Sequence, residues 1–338
     1  MMSTEEESWA RARRLIENSL VWDNHTCMPL RPHDTTFLPQ LERSRAAGID
    51  VISINVGAGP LDLALHLRML ASLRRWFSDH RDRYVLVETA SDVDRARQED
   101  KVSIAFDVEG MTPLDEGDNG LIQLFYDLGV RWMLIAYNRK NAAGGGCLDD
   151  DDPGLSAHGR AMLAEMKRVG MVVCCSHTGH RTGRDVMANA DNPVIFSHSN
   201  ASAVWSHYRN IPDELIKACA ATGGVVGVNG IGIFLGENDA RPELVFRHID
   251  HMVQLVGPDH VGLALDYVFD QEELAQFLKA MPNIIPLDRS LAGQTMKMAP
   301  PEALLPITEM MVAHGYPDGA VAAILGGNWR RVAGQVWR

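Results

Sequence analysis

The chain has 338 residues, 46% of them apolar, which suits one large α/β barrel or two smaller domains around a sizeable core. A net charge of −12 argues against a nucleic-acid partner and against an anionic membrane surface, while leaving room for a basic pocket. Five cysteines, odd in number and without a CxxC pair, give no disulfide framework and point to a reducing compartment, the cytoplasm. The first residues lack an apolar run of signal length, and no stretch approaches the roughly 18 apolar residues of a membrane span.

Residues 4–19 place Trp9, Ala12, Leu15 and Ile16 near helical spacing and predict a helix. Leu20-Val21-Trp22 is a short strand that runs into Asp23-Asn24-His25-Thr26-Cys27. Residues i and i+2 of extended chain point to one side, so His25 and Cys27 can reach one ion. A buried second strand covers 49–57, a helix 60–80, and YVLVET (84–89) reads as a minor strand outside the main set. A short helix over 91–99, with Ser91 at its N-cap, leads to the third strong strand, 101–110. That strand ends in Glu109-Gly110, a carboxylate beside a residue that permits a tight turn.

A helix over 113–128 precedes strand four, 130–138, which ends in Tyr137-Asn138. Residues 141–154 are glycine-rich, then acidic. They form a loop, because no strand–GxxxxGK–helix order and no EF-hand spacing surrounds them. A helix over 155–170 has Ser156 as its cap and Gly170 as its stop. The apolar runs MVVCC and VIF then each end in Ser-His, giving His177 and His198, with a segment of helix length between them. One such histidine reads as a solvated or capping residue. Its repetition on consecutive strands reads as two ligands of one metal centre.

Arg209 lies on the loop leaving strand six, where its fork can grip a carboxylate; position alone fits a solvated arginine equally. A helix follows from Pro212, and strand seven covers 224–230. A helix over 243–256 carries His248 and His251, read as core or surface residues, and strand eight (260–267) ends near Asp266. Residues 270–300 read as irregular, a lid or a partner surface. Helices over 301–314 and 318–324 and the segment LGGNWRRV (325–332) complete the chain.

Eight strands alternate with helices, and His25 with Cys27, Glu109, Tyr137 with Asn138, His177, His198 and Asp266 recur at strand ends. In a TIM-like (β/α)8 barrel those ends share one face, and active sites are built there. The expectation is a single barrel domain, 1–338, with an N-terminal helix and a C-terminal helical extension. Three histidines, a glutamate and a cysteine suffice for two zinc ions bridged by Glu109. Such a pair, roughly 3.5–4 Å apart, activates a hydroxide and polarises a carbonyl. Asp266 is then placed to move a proton, Arg209 to hold a substrate carboxylate, and Tyr137 or Asn138 to bond a developing oxyanion.

With WDNHTCMP, FDVEG, LIAYNRKN, GGGCL, GLSAHGRAMLAEMKRVGM, CCSHTGHRT, PVIFSHSNASAV, RNIPDE, VGLALDY and GGNWRRV in this order, the chain resembles the membrane (renal) dipeptidase family of zinc peptidases, its soluble bacterial members above all. The resemblance runs from about Val21 to Val332. It implies a TIM-like barrel, two zinc ions and hydrolysis of dipeptides, often with a D-residue at the C-terminal position. It also implies a small-molecule substrate and, as in many members, a homodimer. The family pattern assigns His25, Glu109, His177 and His198 as ligands, Asp266 to proton transfer and Arg209 to the substrate carboxylate. Cys27 departs from it, standing where the family has aspartate: it binds zinc as thiolate, leaves the first zinc weak or absent, or selects a softer metal. Tyr137 replaces a substrate-contacting histidine, and CCSH replaces a commoner Asp-Leu-Ser-His, removing a carboxylate near His177. Cys27 and Tyr137 also fit a hydrolase acting on another small amide or ester at the same site. A catalytically weak binding protein is the third reading, opposed by the joint presence of Glu109, His177, His198, Arg209 and Asp266.

Overall fold

The computed structural model describes residues 4–114, 117, 119–283, 291 and 294–338. Among the described residues ten strands form: β1 (Trp22–Cys27), β2 (Val51–Ala58), β3 (Tyr84–Leu86), β4 (Val102–Glu109), β5 (Val130–Leu134), β6 (Val172–Cys174), β7 (Val194–Ile195), β8 (Val226–Asn229), β9 (Val261–Ala264) and β10 (Tyr267–Val268). Eight of them run parallel in the order β7-β6-β5-β4-β2-β1-β9-β8. A parallel bridge from Phe196 to Val226 joins the two ends of this order and closes the barrel. β3 pairs with β4 outside the ring, as its short apolar run predicts, and β10 extends the edge of β1.

Helices lie between successive strands because their apolar stripes need the barrel's outer surface. Met69, Leu70, Leu73 and Phe77 of the helix Leu63–Asp79 recur at helical spacing and are buried in the main core with Ile52, Ile54 and Phe106. A second cluster fills the barrel's interior: Val51, Ala105, Trp132, Val172 and Ile195 meet Trp329, Val332 and Val336 of the last helix. That helix, Asn328–Val336, plugs the amino-terminal end of the barrel. Asn328 Nδ2 donates to Val261 O (2.8 Å), Trp329 Nε1 to Leu263 O (3.1 Å) and Arg331 Nη1 to Gly223 O (2.6 Å). The carboxyl end of the barrel is left for the polar residues.

Several boundaries differ from the sequence reading, each for a local reason. β1 extends to Cys27, so His25 and Cys27 stand inside the strand; its register against β2 slips between Asp23 and Thr26. The helix predicted over 91–99 is Ala90–Gln98, capped by Thr89 instead of Ser91, because Asp92 Oδ2 reaches back to the Thr89 amide (2.8 Å). Of the span predicted as a helix over 113–128, Gly120–Asp127 is helical and Thr112–Leu114 is a 3-10 turn; residues 115, 116 and 118 lie outside the described residues. Ser156 caps the helix Ala157–Val169 as predicted, accepting from the Gly159 amide (2.9 Å). Residues 270–300 are not wholly irregular: Gln271–Ala280 is a helix whose Asp270 cap accepts two amides, while 284–290, 292 and 293 lie outside the described residues. LGGNWRRV opens the closing helix through a π turn, Ala323–Gly327. Among the described residues no helix is long and apolar enough to cross a membrane.

Candidate metal centre

The carboxyl ends of the parallel strands bring His25, Cys27, Glu109, His177, His198 and Asp266 into one buried cluster. Their ligand atoms form three sets, each mutually within 4.8 Å: His25 with Cys27 and Glu109, His25 with His198 and Asp266, and Glu109 with His177 and His198. Glu109 Oε1 lies 3.2 Å from both His177 Nε2 and His198 Nε2, and 3.6 Å from His25 Nε2. The rings of His25 and His198 stack at 4.1 Å on a floor made by Trp132. Cys27 Sγ is 3.5 Å from His25 Nε2 and 3.8 Å from Asp266 Oδ1.

Strain accompanies this convergence. Asn138, His177 and Asp266 adopt left-handed backbone with φ of 57°, 61° and 55°, conformations that cost side-chain-bearing residues energy and concentrate at functional sites. At His177 and Asp266 the turn aims the side chain inward from the strand end. Tyr137 needs room of its own: a Cβ on Gly110 (φ 120°) would come 3.3 Å from the Tyr137 Cβ, and one on Gly59 would strike its ring. The ring lies instead on His177, with centroids 4.3 Å apart.

Each imidazole is held through Nδ1. His25 Nδ1 faces the Asp107 carboxylate (3.3 and 3.4 Å), His177 Nδ1 faces Asn138 Oδ1 (2.7 Å) and His198 Nδ1 faces Ser197 Oγ (2.8 Å). With Nδ1 committed to these partners, the Nε2 lone pairs converge on one another and on Glu109. His177 and His198 Nε2 are only 2.9 Å apart. Three imidazoles, a carboxylate and a thiol converging in one buried place are a donor set that fits a divalent metal.

The electrostatics agree with that chemistry. Burial first, then Arg209 and the neighbouring histidines, hold His177 and His198 well below the usual imidazole range, so both are neutral as ligands must be. Burial opposes charge on His25, yet Asp107, Cys27 and Glu109 hold it well above that range. Burial pushes Glu109 up to about 8, Cys27 up to about 12, and Asp266 upward as well.

Above the cluster lie two cavities of about 90 Å³ each that share Cys27, Glu109, Tyr137, Val268 and Leu274. One contains Asn138, His177, Arg209, Phe234 and Asp266; the other is walled by Met28, Leu30, Ala58 and Phe277. Arg209 is buried over the Phe234 ring, its Nη2 donating to His198 O (3.3 Å), and its Nε finds no hydrogen-bond partner. Asp266 Oδ2 accepts from Asn229 Nδ2 (2.7 Å), which aims its other oxygen toward His25 and Cys27.

Sequence reasoning missed the supports. Asp107 sits two residues before Glu109 on β4, so alternation alone puts both on the inner face, but it was read as strand interior. Asn229, at the end of strand seven, and Ser197, beside His198, were likewise given no role. Asn138 lines the cavity, and its carbonyl oxygen is occupied by His177 and by Cys147 Sγ (3.2 Å). The missing carboxylate of CCSH concerns the other histidine: Cys174 Sγ lies 3.1 Å from Ser197 Oγ and so backs His198. His248 is buried, as one of the two readings had it, and His251 pairs with Asp213 (2.8 Å).

Known proteins give this geometry a family. The model of the membrane dipeptidase family (peptidase family M19) matches residues 9–284. An uncharacterized dipeptidase of Schizosaccharomyces pombe is 34% identical over 209 residues, 60% of this chain and 50% of its own length. An uncharacterized protein in the pqqA 5' region of Klebsiella pneumoniae is 28% identical over 297 residues, 84% of this chain and 100% of its own. The crystal structure of an amidohydrolase from Pseudomonas aeruginosa superposes with a TM-score of 0.87 at 25% identity, covering 96% of this chain and 99% of that one. The match thus spans half the length of the yeast protein and all of the Klebsiella one. With the family model covering more than four-fifths of its length, from the first helix to the cover over the site, the chain belongs to the membrane dipeptidase family.

Proposed function

We propose that this protein is a metal-dependent dipeptidase that hydrolyses the amide bond of small dipeptides, those ending in D-residues included, with residues 1–338 acting as one barrel domain. The observation that carries the reading is the convergence of three Nε2 atoms and Glu109 beneath a small cavity that also holds Arg209 and Asp266. His25, Cys27, Glu109, His177 and His198 would hold the metal, their ligand atoms lying close together in the convergent sets. Zinc held there supplies Lewis acidity toward the scissile carbonyl and makes water acidic near neutral pH.

The chain's own residues do the rest. Arg209, buried and with an unused donor, pairs with the substrate's carboxylate and fixes its C-terminal end. Asp266, held by Asn229, takes a proton at its inner oxygen and hands it to the leaving amine. Tyr137 packs on His177 and borders both cavities, separating the two halves of the substrate. The apolar cover from Leu274, Leu278 and Met296 excludes water and limits the substrate to small size.

The test is Asp266→Asn. Hydrolysis of dipeptides should fall by about 10²- to 10⁴-fold, the range for loss of a general acid–base, while zinc content stays at the wild-type value. Unchanged turnover would remove Asp266 from the chemistry. Metal content of wild type beside Cys27→Asp decides the role of the thiol: two ions in both makes Cys27 a working ligand, and a rise only in the variant shows a weakened site.

A further inference from the structure

Asp107 is a carboxylate in contact with this centre that belongs to none of the convergent ligand sets. It is fully buried on β4, one alternation below Glu109. Ser53 Oγ donates to its Oδ2 (2.8 Å), Asn55 Nδ2 to its Oδ1 (3.1 Å), and His25 Nδ1 faces both oxygens. Ser53 and Asn55 are neutral. Among the described residues His25 alone forms an ion pair with it. A carboxylate taken fully out of water with only neutral donors is costly, and an asparagine would satisfy Ser53 and Asn55 equally well. The negative charge therefore has its purpose at the imidazole.

We infer that Asp107 is the positioning residue of His25: it holds the ring proton on Nδ1, turns Nε2 toward Cys27, Glu109 and Asp266, and raises the ring's strength as a donor to a cation. The inference rests on the metal reading above. The centre is then graded, with an anion behind His25, an amide oxygen behind His177 and a hydroxyl behind His198. Such outer partners typically change metal affinity by about 10- to 100-fold when removed. Asp107 itself adds no oxygen to the convergent ligand sets.

The experiment is a zinc titration against a chromophoric chelator with wild type and Asp107→Asn, both checked by circular dichroism. Asp107→Asn should weaken the binding of one ion by about 10- to 100-fold with the fold intact. Affinity equal to wild type overturns the inference and leaves the metal reading standing. A wild type that takes up no zinc overturns the metal reading, and this inference with it. Should the variant not fold, the ring of His25 in ¹⁵N-histidine-labelled, zinc-loaded wild type answers the same question. A slowly exchanging proton on Nδ1 is the expected result, and a bare Nδ1 overturns the assignment, which a merely space-filling Asp107 would not prevent.

Discussion

The ring nitrogens show how a single side chain acquires a role from its neighbour. His177 and His198 stand out in the sequence because the Ser-His ending repeats on consecutive strands, yet what orients them, Asn138 and Ser197, becomes visible only when side chains meet. His248 illustrates the opposite outcome for the same residue type. It is buried on the helix Pro242–Val256, accepts from the Ala201 amide (3.2 Å), and burial pushes it down to about 4. Above pH 6.5 it is neutral folded and unfolded. Below that the unfolded chain takes a proton that the folded protein refuses until about pH 4, so stability falls as pH falls through this window. His248→Gln, which keeps an acceptor, should lose about 2–3 kcal/mol less than wild type between pH 7 and 4.5. Urea midpoints at the two pH values check this, and parallel losses in both proteins would refute it.

At the scale of elements, the turn after β4 controls the site. Glu109 points inward because β4 alternates. The chain must then leave at once, and Gly110 does so at φ 120° while clearing Tyr137. Gly110→Ala should cost about 1–3 kcal/mol in backbone strain and displace the Tyr137 ring from His177. Chemical denaturation should show the loss and the KM for a dipeptide should rise; an unchanged denaturation curve would show that the turn tolerates a side chain. The pattern of residues made this turn legible, since a Glu-Gly at the end of an apolar run has few other uses. The bulge in β1 was not legible: it arises from pairing with β2 on one side and β9 and β10 on the other, which no local window contains. β1 accordingly includes His25 and Cys27, which the sequence places in extended chain just past the strand.

At the scale of the molecule, the barrel is open to chemistry at one end because it is sealed at the other. Trp329 lies against β9 with its indole donating to Leu263 O, and Trp22, Trp132 and Val336 share its cluster. Trp329→Ala would leave a cavity under the strands that carry His25 and Asp266, at a cost of about 3–5 kcal/mol. The denaturant midpoint should drop, and zinc should be released at lower denaturant than in wild type. Retention of wild-type stability would mean that the last helix merely covers the barrel. The cover at the opposite end, Gln271–Ala280, is amphipathic and contributes Leu274 and Leu278 to the cavity that holds Arg209 and Asp266.

The linear chain determined the fold class by itself and displayed the candidate ligands. Short continuous apolar runs separated by helical stripes point to parallel strands with crossovers, and residues at the ends of such strands share a face. It also displayed Glu109, His177, His198 and Asp266, because each closes an apolar run. Closure of the ring between Phe196 and Val226, the bulge in β1, and the pairing of Asp107 with His25 depended on contacts between residues tens of positions apart. Alternation with Glu109 places Asp107 on the inner face, but nothing local says which side chain it meets there. Only the tertiary structure, by placing it 0% exposed behind an imidazole, decided that.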